Sequence, residues 1–349
     1  YRNYDKEQSG ETQNFHDAIV LSNGVAARRV PESRSTNLSE TMKLLISLLA
    51  AIVLTGCATA PLPIESPAPP VPVNPVPAPV MVKIPPRIGL ALGGGAARGF
   101  AHVGVIQVLE EAGIHPDLVA GTSAGSLVAA IYASGKNGSQ LQRVAETMEE
   151  ATIADWTLPL FNRGVLRGDA LARYVNGQVG SRLIEDMQMP LGIVATDLNS
   201  GRDMLFQRGD TGTAVRASSA VPGVFQPVKI SGRDYVDGGL VSPVPVRAAR
   251  KMGAELVIAV DISSPPDGNL SNGTLDVLLQ TFSIMSLSIN TFELKDADVL
   301  VRPVLNGIAS SDFSSRKRSI EAGRKAMLQQ MPQLRAAIAA KTRQLAAAN

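Results

Sequence analysis

A serine set between two glycines, and a glycine run upstream of it, are the residues of this chain best equipped for chemistry. The first stretch is Gly93-Gly94-Gly95-Ala96-Ala97-Arg98-Gly99, directly after the apolar run Ile88-Gly89-Leu90-Ala91-Leu92. The second is Gly121-Thr122-Ser123-Ala124-Gly125, directly after Leu118-Val119-Ala120. Each sits where a buried strand is expected to turn into a helix. A Gly-Gly-Gly turn reaches positive φ without a Cβ clash and can offer a row of free backbone N–H groups to an anion. Gly-x-Ser-x-Gly is the pattern of a nucleophile on a sharp strand-to-helix turn. A helix starting near Ser123 would bring its positive dipole end to the reacting centre. A nucleophile beside an anion cradle is the minimum equipment for acyl transfer. The plain alternative is a glycine-rich connection in which Ser123 merely caps the next helix.

Other glycine-loop chemistries fit less well. A dinucleotide fold asks for Gly-x-Gly-x-x-Gly, and here Gly93, Gly95 and Gly99 miss the pattern because the last glycine arrives one residue late. The region that should supply an acidic ribose ligand offers only Asp117, and the following strand ends in the serine motif. No Gly-Lys-Ser/Thr follows the loop, which excludes a Walker-type phosphate site.

A serine needs a proton acceptor, and the chain has only 3 histidines. His16 lies far upstream of the glycine loop, His102 early in the helix after it, and His115 in a His-Pro turn before the second strand. None follows Ser123 on a late loop, as the order Ser…Asp/Glu…His requires, so a histidine triad is disfavoured. His102 is expected to pack or to support the site from behind. The other candidate is a carboxylate. Asp237-Gly238-Gly239 follows the expected strand Arg233-Asp234-Tyr235-Val236 and precedes a helix start at Pro243-Val244-Pro245. Two glycines after an aspartate allow close approach to another backbone, and they also make an ordinary Asp-Gly turn.

Taken together and in this order, these residues resemble the patatin-like phospholipases, in particular the bacterial branch related to the catalytic domain of neuropathy target esterase. The resemblance runs from about Arg87 to Ile320. It includes Gly93 to Gly99, Gly121 to Gly125, the stretch Ala217-Ser218-Ser219-Ala220-Val221-Pro222-Gly223-Val224-Phe225-Gln226-Pro227, and Asp237-Gly238-Gly239. It implies a Ser123–Asp237 dyad without histidine, an oxyanion hole from Gly93, Gly94 and Gly95, and Arg98 as the basic residue of that loop. It also implies a three-layer α/β/α sandwich with a mainly parallel central sheet. The implied activity is serine acyl hydrolysis of phospholipid or lysophospholipid esters. An acyltransferase using the same dyad, or a lipid-binding envelope protein without turnover, are the alternatives. An aspartate of ordinary pKa near ~3.9 is a poor base at neutral pH, so burial that raises it is expected. No cofactor is expected, and no metal, because a single cysteine and few histidines give no ligand spacing.

The elements that must hold these residues follow from the pattern. Leu191-Gly192-Ile193-Val194-Ala195, Leu256-Val257-Ile258-Ala259-Val260 and Val299-Leu300-Val301 read as further buried strands. Short apolar runs alternating with helices mean a mostly parallel sheet covered on both faces. The catalytic domain is placed at residues 87–315, and Arg316 to Asn349 reads as a basic helical tail, interrupted at Pro332 and solvated, with contact to anionic headgroups as the alternative. Asp276 to Leu294 is expected to pack in the core, with an acyl tunnel or a lipid interface as alternatives. Glu149 to Arg167, with Trp156 and Gly164, is a candidate lid.

Upstream of this domain, Met42-Lys43 and the apolar run Leu44 to Leu54 lead into Leu54-Thr55-Gly56-Cys57. The run is too short to span a bilayer, which takes ~20 residues, and it reads as a signal peptide over 42–56. Leu-x-Gly-Cys looks like a bacterial lipobox, which implies lipid on Cys57, the only cysteine. Residues 1–41 are expected to be absent from the mature protein. From Pro61 to Pro86, 11 of 26 residues are proline, so 57–86 reads as a lipidated cysteine followed by a spacer of up to ~80 Å. Ala58 after Cys57 suggests, by analogy, the outer membrane facing the periplasm. The expected partners are therefore an acyl-ester substrate and a membrane. A net charge of +2 and few aromatics give no footprint for nucleic acid.

Overall fold

A computed structural model of the chain describes residues 81–149, 164–263 and 273–346. Residues 1–41, the apolar run, Cys57 and most of the proline-rich spacer lie outside the described residues, as do 150–163 of the candidate lid.

In chain order the strands and helices begin with β1 (Met81–Ile84), β2 (Ile88–Leu92), α1 (Ala101–Glu111), β3 (Leu118–Thr122), α2 (Ala124–Ala133), α3 (Gly138–Thr147), β4 (Gly164–Leu166) and α4 (Asp169–Val179). Next come β5 (Leu191–Asp197), β6 (Asp203–Phe206), α5 (Thr211–Ser218), β7 (Gly223–Phe225), β8 (Val228–Ile230), β9 (Arg233–Asp237) and α6 (Val246–Lys251). The chain continues through β10 (Leu256–Val260), α7 (Thr274–Glu293), β11 (Val299–Val301), α8 (Arg316–Lys341) and β12 (Arg343–Ala346). The main sheet runs β11-β10-β2-β3-β5-β9-β8, with β6 also on β5. Strands β11, β10, β2, β3 and β5 are parallel neighbours, whereas β6, β9 and β8 join antiparallel.

Strands β2, β3, β5 and β10 are buried at every residue, which is why they read as continuous apolar runs. Their side chains alternate between two cores. Leu90, Leu92, Ile258 and Val260 pack with α1, α2 and α8 on one face, while Ala91, Val257 and Ala259 pack with α6 on the other. This is the three-layer α/β/α sandwich with a mainly parallel sheet. Each large aliphatic side chain buried here contributes ~1.5–3 kcal/mol.

Three expectations are corrected by packing. The helix of the tail runs unbroken through Pro332 and is no solvated appendage: Ile320, Ala326, Met327, Met331 and Leu334 belong to the main core. Two glycines allow its approach to α1. A Cβ on Gly323 would collide with the Ala101 carbonyl, and one on Gly104 with that of Ile320. The spacer is not proline-rich coil to its end, because Met81–Ile84 pairs antiparallel with Arg343–Ala346. Met-Val-Lys-Ile is a β-favouring sequence free of proline. Finally, the helix over Asp276 to Leu294 forms as α7 but is not packed in the core, since Val277, Leu278, Ile284, Met285 and Phe292 are exposed.

Candidate active site

Strand register brings the serine and the aspartate together. On one edge of β5, Val194 is opposite Thr122, the last residue of β3, and the next residue, Ala195, is opposite Asp237, the last of β9. The chain leaves both strands at the same place, so Ser123 and Asp237 emerge side by side. Thr122 Oγ1 donates to the Ser242 carbonyl at 2.8 Å and Thr196 Oγ1 to the Asp237 carbonyl at 2.7 Å, which fixes the two exits.

Ser123 stands at φ 52° and ψ −123°, a strained backbone for a residue with a Cβ. The elbow closes tightly. A Cβ on Gly121 would lie 2.5 Å from the Gly125 carbonyl oxygen, and one on Gly125 would collide with the Leu92 carbonyl. The Ser123 amide donates to Ser218 Oγ at 2.8 Å, whose own hydroxyl donates to the Val194 carbonyl at 2.5 Å. Ser218 thus ties the turn to β5. It lies in the stretch Ala217 to Pro227, where residue type alone does not reveal its individual task.

Asp237 is almost fully buried, and burial raises its carboxyl to about 7 against the pull of hydrogen bonds to the ionised form. Oδ1 accepts from the Gly239 amide at 2.7 Å. Oδ2 accepts no full hydrogen bond among the described residues, yet the Ser123 hydroxyl is near enough to stabilise the carboxylate. An acid–base pair that is close but not closed is common before substrate arrives.

The glycine loop lies over the serine: a Cβ on Gly94 would meet Ser123 Cβ at 3.2 Å and Oγ at 3.9 Å. The row of free amides expected from Gly93 to Gly95 is shorter than that. Gly93 N–H donates to the Val260 carbonyl at 3.0 Å and Gly94 N–H to the Pro243 carbonyl at 2.9 Å, so both are spent in anchoring the loop. Among the described residues the amides of Gly95 and Ala96 have no acceptor, and Ala96 holds a positive φ of 48°. Ala124 is the first residue of α2, where an amide has no partner within the helix.

Arg98 is buried and its side chain does not line the cavity; it turns to the loop backbone instead. Its backbone amide, at 3.1 Å, and its Nε, at 3.4 Å, both point to the Gly95 carbonyl. In a trans peptide the N–H of Ala96 then points the opposite way. Burial lowers the Arg98 pKa, and nearby Asp261 opposes that shift.

Among the described residues, His102 and His115 both lie apart from Ser123. His102 is fully buried, with its pKa lowered to about 4 by desolvation, and its Nε2–H donates to the Gly93 carbonyl at 2.8 Å. It braces the glycine loop. His115 is exposed in the turn before β3, at the opposite end of the strand from Ser123.

Ser123, Ala96 and Ala124 open onto a cavity of about 380 Å³ whose walls are almost wholly apolar, among them Phe100, Val103, Leu127, Ile131 and Met148. Such a space accepts an aliphatic chain and offers nothing to a charged group. Among the described residues no cluster of His, Cys, Asp or Glu could hold a metal ion.

Known proteins resemble this chain in sequence and in fold. A family model described as patatin-like phospholipase matches residues 90–250. An uncharacterized NTE family protein of Mycobacterium tuberculosis is 39% identical over 184 residues, covering 52% of this chain and 51% of that protein. Patatin-like phospholipase domain-containing protein 6 of Homo sapiens is 36% identical over 192 residues, covering 53% of this chain and 14% of that protein. The chain thus spans about half the length of the mycobacterial relative and a smaller share of the human one. Among solved structures, VipD from Legionella pneumophila shares the fold, with a TM-score of 0.50 at 15% identity over 76% of this chain and 69% of that one. Residues 90–250 thus carry a domain that matches the patatin-like phospholipase family model, with relatives among the NTE family proteins.

Proposed function

We propose that this protein is a serine acyl hydrolase that cleaves the acyl esters of phospholipids or lysophospholipids through Ser123 and Asp237. One observation carries the reading: a serine on a strained elbow stands at the wall of an apolar cavity, beside a buried carboxyl whose pKa lies near neutrality. Asp237 Oδ2 takes the hydroxyl proton as Ser123 Oγ attacks the ester carbonyl. The oxyanion collects the unspent amides of Gly95, Ala96 and Ala124, each such donor being worth ~3 kcal/mol in the transition state. The leaving alcohol takes the proton back from Asp237, and water, activated the same way, frees the fatty acid. The acyl chain occupies the apolar cavity throughout.

The resemblance to patatin-like and NTE family proteins supports the lipid class of the substrate. The test is release of free fatty acid from phosphatidylcholine and lysophosphatidylcholine by the wild type and by Ser123→Ala. Release by wild type alone fits the proposal, and equal release by both refutes the serine mechanism. Added lysolipid reports transfer instead, if the acyl group appears in diacyl product. We also propose that lipid on Cys57 holds the protein at the bacterial cell envelope, on the periplasmic side of the outer membrane. The support is the Leu54-Thr55-Gly56-Cys57 sequence and the apolar run before it.

A further inference from the structure

Helix α7 is built with its polar side inward. Its inner face carries Ser286, Asn290 and Glu293, which are 8%, 3% and 3% exposed. Ser286 Oγ donates to the Gly239 carbonyl at 3.3 Å, and Glu293 accepts from Ser242 Oγ at 2.6 Å. Phe282 lies against Gly239, where a Cβ would meet its ring at 2.8 Å. The inner face is therefore fastened to the turn that carries Asp237. The outer face carries Val277, Leu278, Ile284, Met285 and Phe292, from 43% to 64% exposed. A helix resting in water has the reverse arrangement.

The hydroxyls of α7 agree with an apolar surrounding. Thr281, Ser283 and Ser288 each donate to the carbonyl four residues back, and Thr291 to that of Ser288, so none depends on water. From Val277 to Phe292 there is no charged residue. The first charge beyond the helix is Lys295, which sits 5.2 Å from the centre of the Phe292 ring. Residues Val277–Asp296 have the length and mean hydropathy, 1.2, of a membrane span. The bonds of the inner face hold them on the domain surface instead.

We propose that α7 is an interfacial helix whose outer face enters the outer layer of a lipid bilayer and sets the mouth of the acyl cavity against the lipid. The proposal rests on the lipid-hydrolase reading above. The occupant is a bilayer because Leu279, on the same helix and 38% exposed, also lines the cavity that holds Ser123. A second protein copy seated there would close the route by which a chain enters, whereas a bilayer supplies the chain. Lys295 then meets the headgroups, as a cation at the edge of an apolar helix does.

The test places an environment-sensitive fluorophore at Ile284→Cys in the full chain carrying Cys57→Ser, with His115→Cys as the control at the far end of the sheet. On vesicles of phosphatidylcholine and phosphatidylglycerol, the Ile284 label should shift to the blue and be quenched by doxyl lipids, while the His115 label does neither. In parallel, Leu278→Glu with Ile284→Glu should lower hydrolysis of vesicle phospholipid by ~10-fold or more and leave a soluble short-chain ester within ~2-fold of wild type. An unquenched Ile284 label on vesicles overturns the proposal. Burial of that label without lipid, rising with protein concentration, puts a second copy there and overturns it too. If the wild type hydrolyses neither ester, the hydrolase reading fails, and the label alone decides the question for α7.

Discussion

At the residue scale the account turns on one carboxyl. Burial raises Asp237 to about 7, so near neutrality it is divided between a form that accepts the serine proton and one that cannot. The expected kcat/KM for a soluble ester therefore rises with pH through an apparent value near 7 and is level above it; a flat profile from pH 5 to 8 would count against Asp237 as the base. The same shift bears on stability. A carboxyl whose pKa is raised on folding binds its proton more tightly in the folded chain, so its contribution is full below the unfolded value and declines as pH rises toward 7. Asp237→Asn removes that loss and keeps an acceptor for the Gly239 amide. It should abolish turnover yet raise stability at pH 8 by ~1 kcal/mol relative to wild type, with a smaller gain at pH 5, read from urea melts. The serine, the aspartate and the loop were legible because each demands a particular residue type. The division of labour within the loop was not: which amides are free depends on whether Val260 and Pro243 present carbonyls to them, and those come from distant segments.

At the element scale, the site is a product of strand register. Val194 and Ala195 are neighbours on β5, and their pairing sets Thr122 beside Asp237. The alternation of apolar runs announces the strands, but not that β9 takes over where β3 ends on the same edge. The glycines of the elbow are required by close approach rather than by turn chemistry alone. Gly125→Ala, with its new methyl driven against the Leu92 carbonyl, should cost ~3 kcal/mol or more in stability, measured by denaturant unfolding. Wild-type stability for this variant would mean that the elbow is looser than described. The last helix makes the same point at a distance. Its composition suggested a solvated tail, because lysine and arginine dominate its outer surface, while Gly323 and Met327 on its inner surface complete the core. A chain ending at Ser315 should consequently fail to unfold cooperatively, in contrast to the full chain. A sharp transition at wild-type stability would restore the tail to an appendage.

At the scale of the whole molecule, the three-layer sandwich could be read from the sequence because fully buried parallel strands need unbroken apolar runs. The behaviour of α7 could not, since an apolar helix of that length suits a protein core equally well, and only the polar character of its buried side separates the two. The proposed lipid anchor at Cys57 has its support in the sequence. If Cys57 is acylated, metabolic labelling with radioactive palmitate should mark the protein, and Cys57→Ala should lose the label; label retained in that variant would remove the anchor from the account. The most direct test of the central claim is the mapping of a fluorophosphonate adduct by peptide mass in the wild type and in Asp237→Asn at pH 8. A single adduct on Ser123, formed rapidly by the wild type and far more slowly by Asp237→Asn, is the predicted result. An adduct on another residue, or equal rates in the two proteins, would contradict a serine activated by Asp237.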